Sequence, residues 1–482
     1  MRRIFPILSA LLLLAGCQSG IRIAGELDSL PEIFPDYAGV TVPNNIAPLN
    51  FRYTGGEHPS ALILTAGDQE LTLRGPLFDI PQKQWQALTA AGDITARVCI
   101  KDAGGWKSHK PFTIHVSPDP IDPYVAYRLI DPGYETWNKL GLYQRCLEDF
   151  TQTPIITNDD TDRNCMNCHS FCNRDPQKMM FHMRASNGGT YTWNEGRIEK
   201  LNTKTPQTLS TLVYPRWHPS GDYIAFSVND ISQFFHSTHP NRIEVYDSVS
   251  DVVVYNVEKH QIATSPLLTD TTRLETMPAW TPDGKALLFC TTWQPEMPQG
   301  YQDVRYSICS IPFDPDSFSF GDRVDTLYSA ARSGLNATFP RVSPDGRFLL
   351  FGESQYGCFG IWHKETELRM IDLRNGTFHR LDEANGPDAD SYHCWSSNSR
   401  WIIWASRRLD GLYSRLFIAH IDADGNASKP FLLPQKDPDH NTLLLKSYNV
   451  PELITGPVTF DRKEMARIAR TDPGIDVSFR RP

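Results

Sequence analysis

A repeated segment constrains the fold of this chain of 482 residues more than any other feature. Each clear copy has a Pro, one variable residue, a large apolar residue, a Pro-Asp-Gly type turn and a second apolar run. The copies are Pro215–Phe226, Pro278–Phe289, Pro340–Phe351 and a degenerate fourth from His393 to Trp404. Because the Gly of such a turn accepts a positive φ, each copy predicts two antiparallel strands joined by a tight turn.

The spacing of the copies predicts a closed, repetitive architecture. Equivalent residues are Trp217, Trp280, Val342 and Trp395, so the repeat recurs every 53 to 63 residues and has room for four strands. A repeated four-stranded sheet is the unit of a β-propeller. We therefore predict an all-β propeller over residues 119–462.

The copies resemble the PD40 motif of TolB-type β-propellers. That resemblance implies six blades, in which the Pro-x-Trp segment is the innermost strand. A fainter fifth copy is indicated by Cys172 to Phe181, which has the same length as Trp217 to Phe226. We expect the sixth blade to be built partly from residues 124–156 and from the stretch after Pro430.

The segments that flank the propeller have different patterns. Short apolar runs alternate with turn signals over residues 37–118, which predicts a small β-sandwich of immunoglobulin or fibronectin type III character. Three prolines between Ser117 and Pro123 predict a stiff linker. At the end of the chain, residues 463–482 contain a short amphipathic helix, Lys463–Arg470, that we expect to cover a propeller edge.

The N-terminus predicts export and a lipid anchor. A basic start and an apolar run from Ile4 to Leu14 are typical of a signal peptide, which we place at residues 1–16. Leu14-Ala15-Gly16-Cys17 resembles the lipobox of bacterial lipoproteins, which implies that Cys17 is lipidated. Residues 17–36 would then be a tether, and the protein would be anchored to a membrane of the cell envelope, facing the periplasm or the medium.

The motif Cys165-Met166-Asn167-Cys168-His169 is the strongest chemical signal in the chain. Two thiols at this spacing can form thioethers with the two vinyl groups of a haem, and the adjacent imidazole can bind the iron. Covalent haem c is also normally attached to proteins that have been exported. Two alternatives remain open: a zinc site that uses Cys165, Cys168, His169 and Cys172, or a local disulfide.

His393 is the leading candidate for a second iron ligand. Where three copies of the repeat carry Pro215, Pro278 and Pro340, the fourth carries His393, a residue that can bind metal. The alternative is a hydrogen-bonded structural histidine. Four residues close to the haem motif are rival ligands: Met179, Met180, His182 and Met183.

Charge and motifs narrow the possible functions. A formal net charge of -9 without a basic stripe argues against a nucleic-acid partner. Over the whole chain the sequence resembles exported bacterial propeller lipoproteins that are often labelled cytochrome c biosynthesis or TolB-like proteins. We expect a haem-bearing protein for electron transfer or haem-linked binding, with an envelope protein or redox partner. The alternatives are a haem-free scaffold that binds a protein or glycan, and an oxidoreductase that acts at the haem.

Overall fold

The computed structural model describes residues 20–131, 138–208 and 210–480. Cys17 and the predicted signal peptide lie outside these residues. Two sheets that pack face to face form the N-terminal domain. The larger has seven strands: Ile23–Glu26, Thr41–Pro43, Ser60–Ala66, Gln69–Arg74, Ile94–Asp102, Gly105–Ser108 and Phe112–Ser117. The smaller has three: Ile33–Phe34, Phe51–Tyr53 and Leu77–Phe78.

The sandwich closes over an aromatic core. Phe51 of the smaller sheet lies 6.3 Å from Phe112 of the larger sheet, measured between ring centroids. Helix α1, Gln82–Ala91, contributes the fully buried Trp85 to this core. The predicted tether differs from the structure, because Ile23–Glu26 and Ile33–Phe34 both pair with strands of the sandwich.

Five consecutive sheets and one composite sheet form the propeller. Blade 2 contains Met166–Phe171, Lys178–Met183, Gly189–Asn194 and Arg197–Asn202. Blade 3 contains Leu212–Trp217, Tyr223–Phe235, Ile243–Asn256 and Gln261–Ala263. Blade 4 contains Arg273–Trp280, Ala286–Trp293, Ser307–Asp314, Ser319–Phe320 and Asp325–Tyr328. Blade 5 contains Asn336–Val342, Phe348–Ser354, Glu367–Asp372 and Thr377–His379. Blade 6 contains Asp390–Trp395, Trp401–Ser406, Arg415–His420 and Phe431–Leu432.

Blade 1 closes the ring with strands from both ends of the propeller. Its three N-terminal strands are Tyr124–Ile130, Gly141–Cys146 and Gln152–Thr157, and its inner strand is Ser447–Ile454. Each inner strand contacts the inner strands of both neighbouring blades. The six blades therefore form a closed all-β ring, with blade 1 built from the two regions that the sequence indicated.

Every inner strand contains the same β-bulge. Its ladder register shifts at one point, and a non-glycine residue with φ between 49° and 54° occupies that point. These residues are, from blade 1 to blade 6, Val450, Cys168, Tyr214, Met277, Phe339 and Tyr392. A bulge leaves one backbone N–H without a ladder partner, so a following Pro, which has no N–H, suits this position.

The large residue of each repeat joins neighbouring blades. The indole Nε1 of Trp280 donates to the carbonyl of Arg216 in the preceding blade, at 3.0 Å. Trp217 and Trp395 make the equivalent bonds to the carbonyls of Ser170 and Arg341, both at 3.2 Å. The repeated Trp is therefore a hydrogen-bonded link between blades.

Replacing Trp280 with Phe is expected to lower the free energy of unfolding by about 1–2 kcal/mol, because the partly buried carbonyl of Arg216 loses its donor. Denaturant unfolding measures this change. The matched control is Trp293→Phe, at a side chain that is 68% exposed and should change stability by less than about 0.5 kcal/mol. Equal effects of the two substitutions would contradict the structural role of the indole N–H.

The predicted linker and C-terminal tail are both held against the propeller. Asp119 of the linker accepts from His420 Nε2 at 2.9 Å, and its carbonyl accepts from Trp401 Nε1 at 3.0 Å. In the described part of the chain, three further short helices lie between strands or follow the ring: α2 (Ala330–Ser333), α3 (His440–Leu443) and α4 (Arg462–Thr471). After α4, Ile475–Asp476 and Ser478–Phe479 extend the outer edges of blades 2 and 3. The tail thus covers two blade edges that would otherwise be open.

Candidate functional site

A cavity of about 910 Å³ lies on the propeller axis. All six bulge residues line it, and so do the residues two positions after them: Glu452, Ser170, Arg216, Ala279, Arg341 and Cys394. The residues three positions after the bulge form a third layer of the wall: Leu453, Phe171, Trp217, Trp280, Val342 and Trp395. The repeat therefore builds the cavity wall in three stacked rings.

The Cys165-x-x-Cys168-His169 motif lies in this wall. Cys165 immediately precedes the inner strand of blade 2, and Cys168 is that strand's bulge residue, with φ of 54°. Both cysteines and His169 line the cavity. A regular strand would place neighbouring residues on opposite faces of the sheet. The bulge changes this alternation, so that these closely spaced side chains all reach the cavity.

His169 occupies the position that Pro occupies in four other blades. The bulge residues align His169 with Pro451, Pro215, Pro278 and Pro340, and with His393 in blade 6. This alignment corrects the sequence comparison, in which Cys172 matched Trp217. The structure matches Phe171 with Trp217, because the 3₁₀ turn Cys172–Arg174 adds one residue before the next strand. His169 and His393 are thus the two exceptions to the repeat's Pro.

The His169 ring is buried and neutral. Burial lowers the pKa of His169 to about 4, although the charge of Glu452 acts in the opposite direction. A hydrogen bond with the backbone of Val450 involves the ring, while Nε2 is buried without a partner. A neutral imidazole with one nitrogen held by a backbone group and the other unpaired has the donor arrangement of a metal-binding histidine.

His393 also lines the cavity, but its partners belong to blade 5. Its Nε2 lies 3.2 Å from the carbonyl oxygen of Leu350, and its Nδ1 is buried without a partner. Burial lowers its pKa to about 4. The ring therefore brings His169 and His393, 224 residues apart in sequence, to one cavity, and each imidazole contacts the blade before its own.

The four rival ligands lie elsewhere in blade 2. Met179, Met180, His182 and Met183 belong to its second strand and are buried, and none of them lines the cavity. Met179 and Met183 pack in the core shared with blade 1, whereas Met180 packs against blade 3. Met277, the bulge residue of blade 4, is a cavity methionine that sequence reasoning missed.

The four donors of the zinc alternative are not assembled. Cys172 Sγ lies 3.8 Å from the carbonyl of His218 in blade 3 and does not line the cavity. Across residues 20–131, 138–208 and 210–480, no three His, Cys, Asp or Glu side chains are grouped as metal ligands. The nine cysteines in these residues are free thiols, including Cys165 and Cys168.

A long hairpin covers one end of the cavity. The strands Tyr223–Phe235 and Ile243–Asn256 extend past the rest of blade 3, and Ile231, Gln233 and Phe235 line the cavity. The hairpin reaches blade 5, where Glu244 Oε1 lies 3.0 Å from His363 Nε2 in a buried pair. At the other end, Arg174 Nε donates to the carbonyl of Trp395 at 2.9 Å.

The cavity is cationic in an acidic protein. Of the residues that the structure describes, five arginines and two carboxylates line it: Arg128, Arg174, Arg184, Arg216, Arg341, Asp131 and Glu452. Glu452 accepts from Arg216 at 2.5 Å and from the backbone N–H of Phe171 at 2.9 Å. The sequence offered a signal for two of the arginines, since Arg216 and Arg341 fill the variable position after the repeat's Pro.

Comparisons with known proteins give only distant similarities. No family model and no curated protein matches the chain. Among solved structures, a Mycobacterium tuberculosis puromycin-hydrolysing peptidase aligns with 11% identity and a TM-score of 0.34, over 85% of this chain and 57% of that one. A Pseudomonas aeruginosa periplasmic gluconolactonase aligns with 12% identity and a TM-score of 0.33, over 79% and 97%. The present chain thus spans little more than half of the peptidase.

One β-propeller domain from Myceliophteria thermophila gives similar values: 10% identity, a TM-score of 0.34, and 67% and 89% coverage. Similarities this distant assign neither a family nor an activity to the chain. In the parts of the chain that the structure describes, no helix has the length and apolarity needed to cross a membrane.

Proposed function

We propose that this protein is an exported, lipid-anchored TolB-like propeller that carries one covalent c-type haem and serves in electron transfer or haem-linked binding. The single observation that carries the proposal is that Cys165, Cys168 and His169 all line one axial cavity. A cavity of about 910 Å³ lies within the range of volumes that hold cofactors and drug-sized ligands, roughly 300–1,000 Å³.

The residues present fit a haem. Cys165 and Cys168 are free thiols that can form the two thioethers, and the unpaired Nε2 of His169 can bind the iron. The backbone of Val450 holds the other side of the imidazole, which fixes the tautomer. A bound haem would supply a one-electron redox centre. The aromatic wall, with Trp217, Trp280 and Trp395, would exclude water from it.

Production in cells that contain a cytochrome c maturation system tests the proposal. We expect a haem-staining band on denaturing gels, Soret absorbance, and a haem-modified peptide that contains Cys165 and Cys168. A preparation without Soret absorbance that binds one zinc ion per chain would contradict it. A preparation with neither group would favour a haem-free scaffold for a protein or glycan partner.

Replacing His393 with Ala tests the predicted distal ligand in the haem-loaded protein. If the imidazole binds iron, the spectrum should change from low-spin six-coordinate to high spin. A methionine ligand would instead give a sulfur-to-iron band near ~700 nm. Met277→Ala is the matched comparison, because Met277 lines the cavity while Met179, Met180 and Met183 do not. A high-spin spectrum in the unchanged protein would argue against any distal side chain and favour the open-site oxidoreductase.

Cys17→Ser tests the proposed anchor. A thioether-linked lipid is the single membrane attachment that the sequence predicts, so the substitution is expected to move the protein from the membrane fraction to the soluble fraction. Western blotting of the two fractions measures the shift. Unchanged fractionation would contradict the lipoprotein proposal and would leave the haem proposal unaffected.

A further inference from the structure

Among the residues that the structure describes, the charges that line the axial cavity do not balance. The two carboxylates in the described part of its wall already have cationic partners, since Glu452 pairs with Arg216 and Asp131 pairs with Lys446. Four arginines of the wall remain: Arg128, Arg174, Arg184 and Arg341. The whole chain carries a formal net charge of -9, so this local excess of positive charge is opposite in sign to the net charge of the protein.

Three of these guanidinium groups bind neutral groups in the described structure. Arg341 Nη1 donates to the carbonyl of Pro340 at 2.6 Å, and Arg174 Nε donates to the carbonyl of Trp395 at 2.9 Å. Arg128 donates to the carbonyl of Met166 and to Asn449 Oδ1, while its Nε is buried without a partner. Cations in a half-buried, partly apolar wall are costly unless an anion shares the space.

The positions of two arginines relative to the cysteines are set by the ring. In a ring of six blades, blade 5 lies across the axis from blade 2. Arg341 in blade 5 therefore faces the wall that carries Cys168 and His169. Arg174 follows the inner strand of blade 2 and reaches blade 6 at the end of the cavity. A ligand held at Cys168 would extend from the cysteines toward these two guanidinium groups.

We propose that Arg341 and Arg174 form a carboxylate-binding site in the axial cavity, for a ligand whose apolar body lies against the tryptophans. The site has two possible sources of carboxylate. One is the pair of propionates of an attached haem, which lie on the half of the macrocycle away from the vinyl groups; in this form the inference rests on the proposed function. The other is a separate organic anion that enters the cavity.

Binding of two porphyrins to the Cys165→Ser/Cys168→Ser protein tests the site without covalent attachment. The probes are metal-free protoporphyrin IX, which has two carboxylates, and its neutral dimethyl ester. Quenching of tryptophan fluorescence reports binding, because Trp217, Trp280 and Trp395 line the cavity. We expect the diacid to bind at least tenfold more tightly than the ester. Equal affinity for the two probes would overturn the proposal.

Substitution of the arginines gives a second measurement. Arg341→Gln and Arg174→Gln should each weaken binding of the diacid about tenfold and leave the ester unchanged, since glutamine keeps hydrogen-bonding capacity without the charge. Arg97→Gln is the matched control, because Arg97 lies in the sandwich and should affect neither probe. Unchanged diacid affinity in both cavity variants would refute the assignment.

Succinate titrations separate the two sources. If haem propionates fill the site, calorimetry should detect succinate binding to the protein without haem and none to the haem-loaded protein. Arg341→Gln should then also shift the haem reduction potential to more negative values, because removal of a positive charge favours the ferric state. Equal succinate binding in both forms would identify a separate anion as the ligand. If no haem is ever attached, the proposed function fails, while the porphyrin and succinate results still decide the carboxylate site.

Discussion

Replacing Cys165 and Cys168 together with Ser is expected to remove all covalently bound haem from the protein and leave the propeller folded. Serine cannot form the thioethers that hold a c-type haem, so the haem-staining band on denaturing gels should be lost completely. Circular dichroism and denaturant unfolding measure the second half of the prediction. Haem that stays with the denatured double variant would contradict the proposed attachment.

The structure explains why the fold should tolerate this change. Both thiols are free, and Cys168 is partly exposed in the cavity, so neither holds the blade together through a disulfide. Cys165 is 8% exposed, and a hydroxyl at that position should cost at most about 1–2 kcal/mol.

Cys172→Ser is the matched control for the double variant. Its thiol faces blade 3, 3.8 Å from the carbonyl of His218, and does not line the cavity. This control should therefore retain the full haem content. Loss of haem in Cys172→Ser alone would indicate that all three cysteines act as one site, as in the zinc alternative.

The regular part of the fold could be predicted because its causes are local. The turn of each repeat needs a residue with positive φ, and Gly221, Gly284 and Gly346 have φ between 71° and 77°. The degenerate copy places Ser399 at the same point with φ of 61°. The repeat therefore predicted the hairpins and the propeller, and the resemblance to TolB-type propellers predicted its closure by distant segments.

The bulge could not be derived from the pattern of apolar residues. It shifts the ladder by one position in all six inner strands, and its sequence signal is the Pro that follows in four of them. In blade 2 the signal is absent, because His169 takes the place of Pro and the turn Cys172–Arg174 is one residue longer. The equivalence of His169 and His393 consequently became visible only in the structure.

The set of residues that line the cavity could also not be predicted from the sequence. Arg128 comes from the second strand of blade 1, Arg174 from a turn, and Arg341 from an inner strand. These three residues line the same cavity only because the ring closes. The hairpin of blade 3 is equally non-local, since its partner His363 lies in blade 5. Long-range contacts of this kind have no signature within a short window of sequence.

The largest predicted loss of stability lies where the ring closes. The segment between blade 6 and the closing strand Ser447–Ile454 has few regular backbone partners, and one buried guanidinium binds its carbonyls. Arg415 is fully buried and donates to the carbonyls of Asn441 at 2.7 Å, Leu444 at 2.8 Å and Lys446 at 2.5 Å.

Arg415→Met is expected to lower the free energy of unfolding by about 3–5 kcal/mol, because it leaves one buried and two partly buried carbonyls without their donor. Methionine approximates the length of the side chain and so limits the cavity that the change creates. Denaturant unfolding measures the loss, and hydrogen exchange should show faster exchange in Ser447–Ile454 than in the sandwich.

The control for this prediction is an exposed arginine. Arg323 is 74% exposed and pairs with Asp325 on the surface, so Arg323→Met should change stability by less than about 0.5 kcal/mol. The two substitutions remove the same group, and only burial and the backbone partners differ between them.

Because the closing strand also carries Val450 and Glu452, which contact His169 and Arg216, Arg415→Met should weaken the cavity wall together with the ring. An unchanged unfolding midpoint for Arg415→Met would show that strand pairing alone closes the propeller.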